Sequence, residues 1–130
     1  MTLALTVSSF GYKFGAMPDA DWVVDSRMLR NPFWEPELRP LTGLDERVRA
    51  YVLDQPEALR LVEWLSDVLR WAAPLYVERG RSALHLAIGC TGGRHRSVVL
   101  SEALAARLSD DGLTVSIRHR DVDKPDPRDG

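Results

Sequence analysis

The residues with the most chemistry to offer share one turn: Gly89-Cys90-Thr91-Gly92-Gly93-Arg94-His95-Arg96-Ser97. An apolar run, Ala83 to Ile88, precedes it and reads as a strand. The run from Ser97 to Leu108 reads as a helix. A glycine-rich turn from a buried strand into a helix presents free backbone N–H groups and the positive end of the helix dipole. Such a turn accepts anions, phosphate above all. The predicted holders are Arg96, His95, Thr91 and the amides of Gly92 and Gly93, with Arg94, Ser97 and Cys90 in the same turn. Lys13, between Gly11 and Gly15, supplies a second cation over the site. The turn lacks the Gly-Lys-Ser/Thr ending of a nucleotide P-loop, so triphosphate hydrolysis is not expected from it.

Five residues separate Cys90 from Arg96 and Ser97 follows, the Cys-x5-Arg-Ser/Thr spacing of cysteine-dependent phosphatases. There a thiolate attacks phosphorus, the arginine grips two oxygens, and an acid protonates the leaving group. Asp19, Asp21 and Asp121 are the available acids, and no spacing selects one. The competing reading makes Cys90 a small buried residue ending its strand. Arg96 has little structural reason to stand in the turn, so a ligand role is expected for it. His95 could donate to phosphate or act as a proton donor. His85 alternates along its strand and reads as packed. Asp25 and Arg27 share a strand face, where they pair with each other or orient a hydroxylated ligand.

The elements that position these residues follow from periodicity. Leu3, Leu5 and Val7 alternate with Ala4, Thr6 and Ser8 as in a strand, and 9–20 reads as a loop. Trp22–Asp25 reads as a short strand. Prolines at 32, 36 and 40 predict a stiff extended path carrying Asn31, Phe33, Trp34, Glu35, Glu37 and Arg39. Asp45–Asp54 reads as a helix capped by Thr42 or Asp45. A longer helix runs from Pro56 to about Val77, with Pro74 expected to kink or loosen its last turn. Its apolar arc is wide: Leu61, Leu65, Leu69 and Ala72 repeat beside Trp64, Val68, Trp71 and Leu75. That arc suits a helix wedged in the core, or a self-association face. Gly112 ends the helix after the anion turn, and Leu113, Val115 and Ile117 alternate as a last strand. The expected fold class is α/β, layered, with a mainly parallel sheet of about four strands flanked by helices. Ligands of such sheets gather beyond the carboxyl ends of the strands. The loops 9–15, 27–42, 89–97 and 118–121 are the candidates for that edge. Asp123–Gly130 has two prolines, three aspartates and no apolar residue, and is expected to be a disordered tail.

The 130-residue length bounds the chain to one domain. Its 45% hydrophobic content is that of an ordinary globular protein. A net charge of −2 argues against autonomous nucleic-acid binding, which needs a basic face. A single cysteine excludes an internal disulfide and a multi-cysteine metal site, and fits a reducing cytoplasm. No metal and no cofactor are expected. No apolar stretch approaches the roughly 20 residues that span a bilayer.

Longer blocks give a more specific signal: Ser9-Phe10-Gly11-Tyr12-Lys13-Phe14-Gly15, Asp19-Ala20-Asp21, Asp25-Ser26-Arg27, 31–45 from Asn31 through Pro32-Phe33-Trp34 to Asp45, Ala87 through Ser97, and Arg118-His119-Arg120. In order and content they resemble the C-terminal domain of the RapZ family of RNase adapter proteins. The resemblance spans about 9–122 and implies a domain over 1–122, here expected to stand alone without the family's N-terminal nucleotide-binding domain. It also implies a fold reminiscent of the sugar-phosphate subdomain of phosphofructokinase. The implied pocket takes an amino-sugar phosphate, glucosamine-6-phosphate, around the loop. Asp25, Arg27, Asn31, Phe33 and Trp34 are its expected further lining. Binding of a small regulatory RNA, contact with an endoribonuclease, and self-association are further implications.

Two departures bear on this. Phe33 stands where the family typically has a pocket histidine, and a phenyl ring cannot hydrogen-bond through a ring nitrogen. The basic residues that could meet RNA, Arg118, Arg120 and Lys124, are interrupted by Asp121, Asp123 and Asp126, which reduces counterion release. The leading expectation is a non-catalytic binding or adaptor domain that senses a phosphorylated metabolite, amino-sugar-phosphate-like or a nucleotide. The alternatives are a Cys90-dependent phosphatase and an RNA-binding regulatory module. Expected partners are the phosphorylated small molecule, a partner protein and further copies of the chain, with no membrane contact.

Overall fold

A computed structural model of the chain describes residues 2–125. Four strands form one sheet, β1 (Ala4–Gly11), β2 (Trp22–Asp25), β3 (Ala83–Cys90) and β4 (Thr114–His119), in the order β2-β3-β1-β4. Every neighbouring pair is parallel, so the fold is α/β as expected. Leu3, Leu5, Val7, Leu84, Leu86 and Ile88 fill one core with buried side chains of all three helices. These helices are α1 (Glu46–Leu53), α2 (Pro56–Glu78) and α3 (Arg96–Asp110). The alternation of strand residues thus sorts leucines onto the helix side and Thr6, Ser8 and His85 onto the other.

α3 lies across β3, β1 and β4, burying Leu100, Leu104 and Leu108, and α2 packs against α3. Asp45, not Thr42, caps α1, accepting from the Arg47 N–H at 2.9 Å. Pro56 starts α2 as its first-turn residue, and Pro74 does not end it, since α2 continues to Glu78. The α2 cap residue, Gln55, uses its side chain elsewhere: Oε1 accepts from Arg30 N at 2.8 Å and Nε2 donates to Val52 O at 3.1 Å.

Three expectations are corrected. β1 runs on through Ser9, Phe10 and Gly11, placed above in a loop, because each finds a parallel partner in Ile88, Gly89 and Cys90. The proline segment is not extended. A 3-10 turn at Pro32–Trp34 is followed by bonds from Leu38 N and Arg39 N to Glu35 O and from Leu41 N to Leu38 O. Proline's fixed φ suits the opening of tight turns as well as extended chain. Asp123 and Lys124, assigned above to the tail, stand in a turn closed by Lys124 N donating to Asp121 O at 3.1 Å. The rest of that expected tail from 126 to 130 lies outside the described residues.

Candidate functional site

The turn 90–96 joins the carboxyl end of β3 to the start of α3, and four neighbours are stitched to it. The first is β1. A Cβ on Gly11 would stand 2.4 Å from the Gly92 carbonyl carbon, and Gly93 adopts φ +75 against Gly11 N. Backbone lies on backbone here, which only glycine permits. The second is the 3-10 turn Tyr12–Phe14, whose Lys13 N–H donates to Thr91 O at 3.2 Å.

Arg96 makes the third connection. It is 4% exposed, and one terminal nitrogen donates to both Arg27 O and Leu29 O at 3.0 Å. The other reaches Thr91 Oγ1 at 3.4 Å. The expectation that Arg96 has little structural reason to be there is therefore corrected: it clamps 27–29 onto the turn. The fourth connection is the proline segment. Arg94 donates to Pro40 O at 3.1 Å, His95 Nε2 to Leu41 O at 2.7 Å, and Gly43 N to Arg94 O at 2.7 Å.

His95 is buried, and burial pushes its imidazole below the ordinary 6.5. Arg94 and Arg96 push the same way, against the carbonyls of Leu41 and Arg39. Burial thus favours the neutral ring, whose Nε2–H is given to the Leu41 carbonyl. Cys90 is 2% exposed and lies 3.1 Å from Ser97 Oγ. A nucleophile needs an open path to its target, and this thiol sits in the core side of the turn. Of the three acids considered with it, the Asp21 carboxylate accepts from His85 N at 2.9 Å and pairs with Arg81, while Asp19 meets His85 Nδ1 through its backbone carbonyl at 3.4 Å.

The rim carries charge and aromatic surface. Arg27 stacks on the Tyr12 ring at 4.0 Å and makes a two-nitrogen pair with Asp25, closing to 2.7 Å. That guanidinium holds the Asp25 carboxyl below the usual carboxylate range. Asn31 Oδ1 accepts from Phe33 N at 3.1 Å, so its side chain is a turn cap. Arg39 covers the half-buried Phe33 ring at 4.5 Å and gives its Nε to Phe33 O at 2.8 Å. Trp34 is exposed. Arg94 and Arg96 belong to the turn, the Lys13 backbone is bonded to it and the Arg27 backbone is held by Arg96, and the first turn of α3 has no acidic residue. Asp25 and the buried Asp121 are the carboxylates nearest the turn, each paired with an arginine.

Sequence reasoning missed Asp121 as a support. Fully buried, it accepts from Gly11 N at 2.7 Å, from Arg120 at 2.8 Å and from Lys124 Nζ at 2.6 Å. Burial raises its pKa, but these donors outweigh that and hold it below 3.8. Arg120 also donates to Ala16 O and Gly15 O, each at 2.8 Å. Two of the three residues assigned to RNA are thus turned onto an internal carboxylate. Arg118 is exposed on β4. Among the described residues no cluster of three or more His, Cys, Asp or Glu could hold a metal, and no helix is long and apolar enough to cross a membrane.

The family model of the RapZ C-terminal domain matches residues 3–123. Curated proteins named nucleotide-binding protein are similar: that of Thermobifida fusca is 54% identical over 120 residues, covering 92% of this chain and 41% of the relative. Those of Streptomyces avermitilis and Heliobacterium modesticaldum are 51% and 48% identical, over 92% and 94% of this chain and 40% of each relative. The chain therefore spans about two-fifths of the length of these relatives. With the match running from the first strand to the turn that holds Asp121, the chain belongs to the RapZ C-terminal domain family.

Proposed function

We propose that this domain is a non-catalytic binding module that senses a phosphorylated metabolite, an amino-sugar phosphate or a nucleotide, in the Gly89–Ser97 turn. The observation that carries this reading is the glycine turn that opens on the acid-free start of α3, with Arg94 and Arg96 in it and Lys13 and Arg27 on the segments bonded to it. Backbone N–H groups and fixed cations stabilise a phosphate without moving. The relatives' printed name supports a nucleotide as one candidate class. Phe33 under Arg39 favours a ligand ring that makes no demand for a hydrogen bond at that position. The buried Cys90 and the neutral His95 support binding without turnover.

Titration calorimetry with inorganic phosphate, glucosamine-6-phosphate and nucleoside mono- and triphosphates tests it. Saturable binding at millimolar ligand or below is expected, weakening with salt. Thr91→Val and Lys13→Ala should each weaken it about tenfold, the loss of one hydrogen bond or one cation. Absence of saturation with every ligand sinks the proposal. Cys90-dependent hydrolysis of an aryl phosphate would put the phosphatase reading in its place.

A further inference from the structure

One guanidinium outside the anion turn is given almost wholly to the loop that carries Lys13. Arg120 follows β4, and its own N–H donates to Ser9 O at 3.1 Å, which fixes its backbone to β1. Its side chain faces two ways. Nε and one terminal nitrogen hold the buried Asp121 carboxylate, at 3.0 and 2.8 Å. The terminal nitrogens also reach across to Ala16 O and Gly15 O at 2.8 Å and to Gly11 O at 3.4 Å, with Met17 Sδ beside them at 3.4 Å.

The loop needs such a clasp. Lys13, Gly15 and Ala16 are exposed, and a Cβ on Gly15 would meet nothing within 4 Å. Core packing therefore does little to hold 13–16 in place. The start of the loop is tied to the anion turn: Lys13 N–H donates to Thr91 O, and Gly11 lies against Gly92 and Gly93. Asp121 joins the two ties. It accepts from Gly11 N, and its Cβ is 2.9 Å from where a Gly93 Cβ would stand. We infer, resting on the reading of the turn as an anion site, that Arg120 is a positioning residue for the ligand. It holds 11–17 as a strap bonded to Thr91 and so keeps the Lys13 cation at the turn, without touching the ligand itself. Arginine suits this task. Its planar fork offers five N–H donors in fixed directions, enough for a carboxylate on one edge and carbonyls on the other. A lysine keeps the charge beside Asp121 but presents three donors from one point.

The test is calorimetric titration of the whole chain with inorganic phosphate, glucosamine-6-phosphate and ATP. Arg120→Lys should weaken binding about tenfold, as Lys13→Ala does, because both take the same cation from the turn. The double variant should bind no more weakly than Lys13→Ala alone, since Arg120 acts through Lys13. A merely structural Arg120 gives no such non-additivity. Hydrogen exchange supplies a readout that needs no variant. In the ligand-free chain the Lys13 and Gly15 amides should exchange slower than in an unstructured peptide by about tenfold or more. Arg120→Lys binding as tightly as the unaltered chain overturns the inference, as do losses that add in the double variant, or free exchange at those two amides. Absence of saturation with all three ligands in the unaltered chain removes the reading of the turn, and this inference with it.

Discussion

Side chains of the turn 90–96 hold the fold whatever the proposed ligand asks of them. His95 shows this in a measurable form. Its pKa is lowered in the folded state, so the neutral ring contributes stability above the unfolded value of about 6.5. Protonation on acidification favours the unfolded chain, and stability falls as pH drops from about 6.5 toward the lowered folded value. Thermal melts of the protein should therefore show a midpoint that decreases between about pH 7 and 5. In His95→Gln, whose amide can still donate to Leu41 O, that part of the pH dependence should vanish. A midpoint that is equally pH-dependent in the variant contradicts the assignment. Arg96 was legible as a member of the turn from its spacing. Its grip on Arg27 O and Leu29 O was not, because those acceptors are backbone groups 69 and 67 residues earlier and carry no residue-type signature.

At the scale of elements, leucine alternation and helical periodicity were sufficient to locate β1, β3, α2 and α3. They misplaced the ends of β1 and the path of the proline segment, where pairing partners and turn bonds decide. Two elements meet at Gly11 and Gly93, and Gly11→Ala should force β1 and the turn apart. The expected loss is about 3 kcal/mol or more in urea unfolding, since the contact is backbone and cannot rotate away. β4 is joined to the same place through Asp121. Asp121→Asn leaves Arg120 and Lys124 without their carboxylate and should cost about 3 kcal/mol. Because the Asp121 pKa is depressed, its contribution is complete above about pH 4 and is lost as pH falls through the lowered value. Acid titration of stability should therefore be shallower in Asp121→Asn than in the unaltered protein.

For the molecule as a whole, charge placement outweighs charge count. The chain is net −2, and two of the cations near the carboxyl edge of the sheet, Arg120 and Lys124, are neutralised by Asp121. Fluorescence anisotropy with a structured RNA should accordingly show no saturable binding at about 150 mM salt. Micromolar binding with a steep salt slope would restore the RNA-binding reading. The sequence blocks pointed to the turn as a candidate, whereas the internal use of Arg120 depends on the carbonyls of Gly15 and Ala16, more than a hundred positions earlier. The strand order has a further result, in time rather than in space. β1 is made first but pairs only with β3 and β4, through Ala4 with Ala83 and with Thr114. During synthesis it must wait for Cys90 to complete one edge and for His119 to complete the other, and closing such long loops slows folding. The anion turn, which rests on Gly11 and Asp121, therefore has both supports only after β4 has been made.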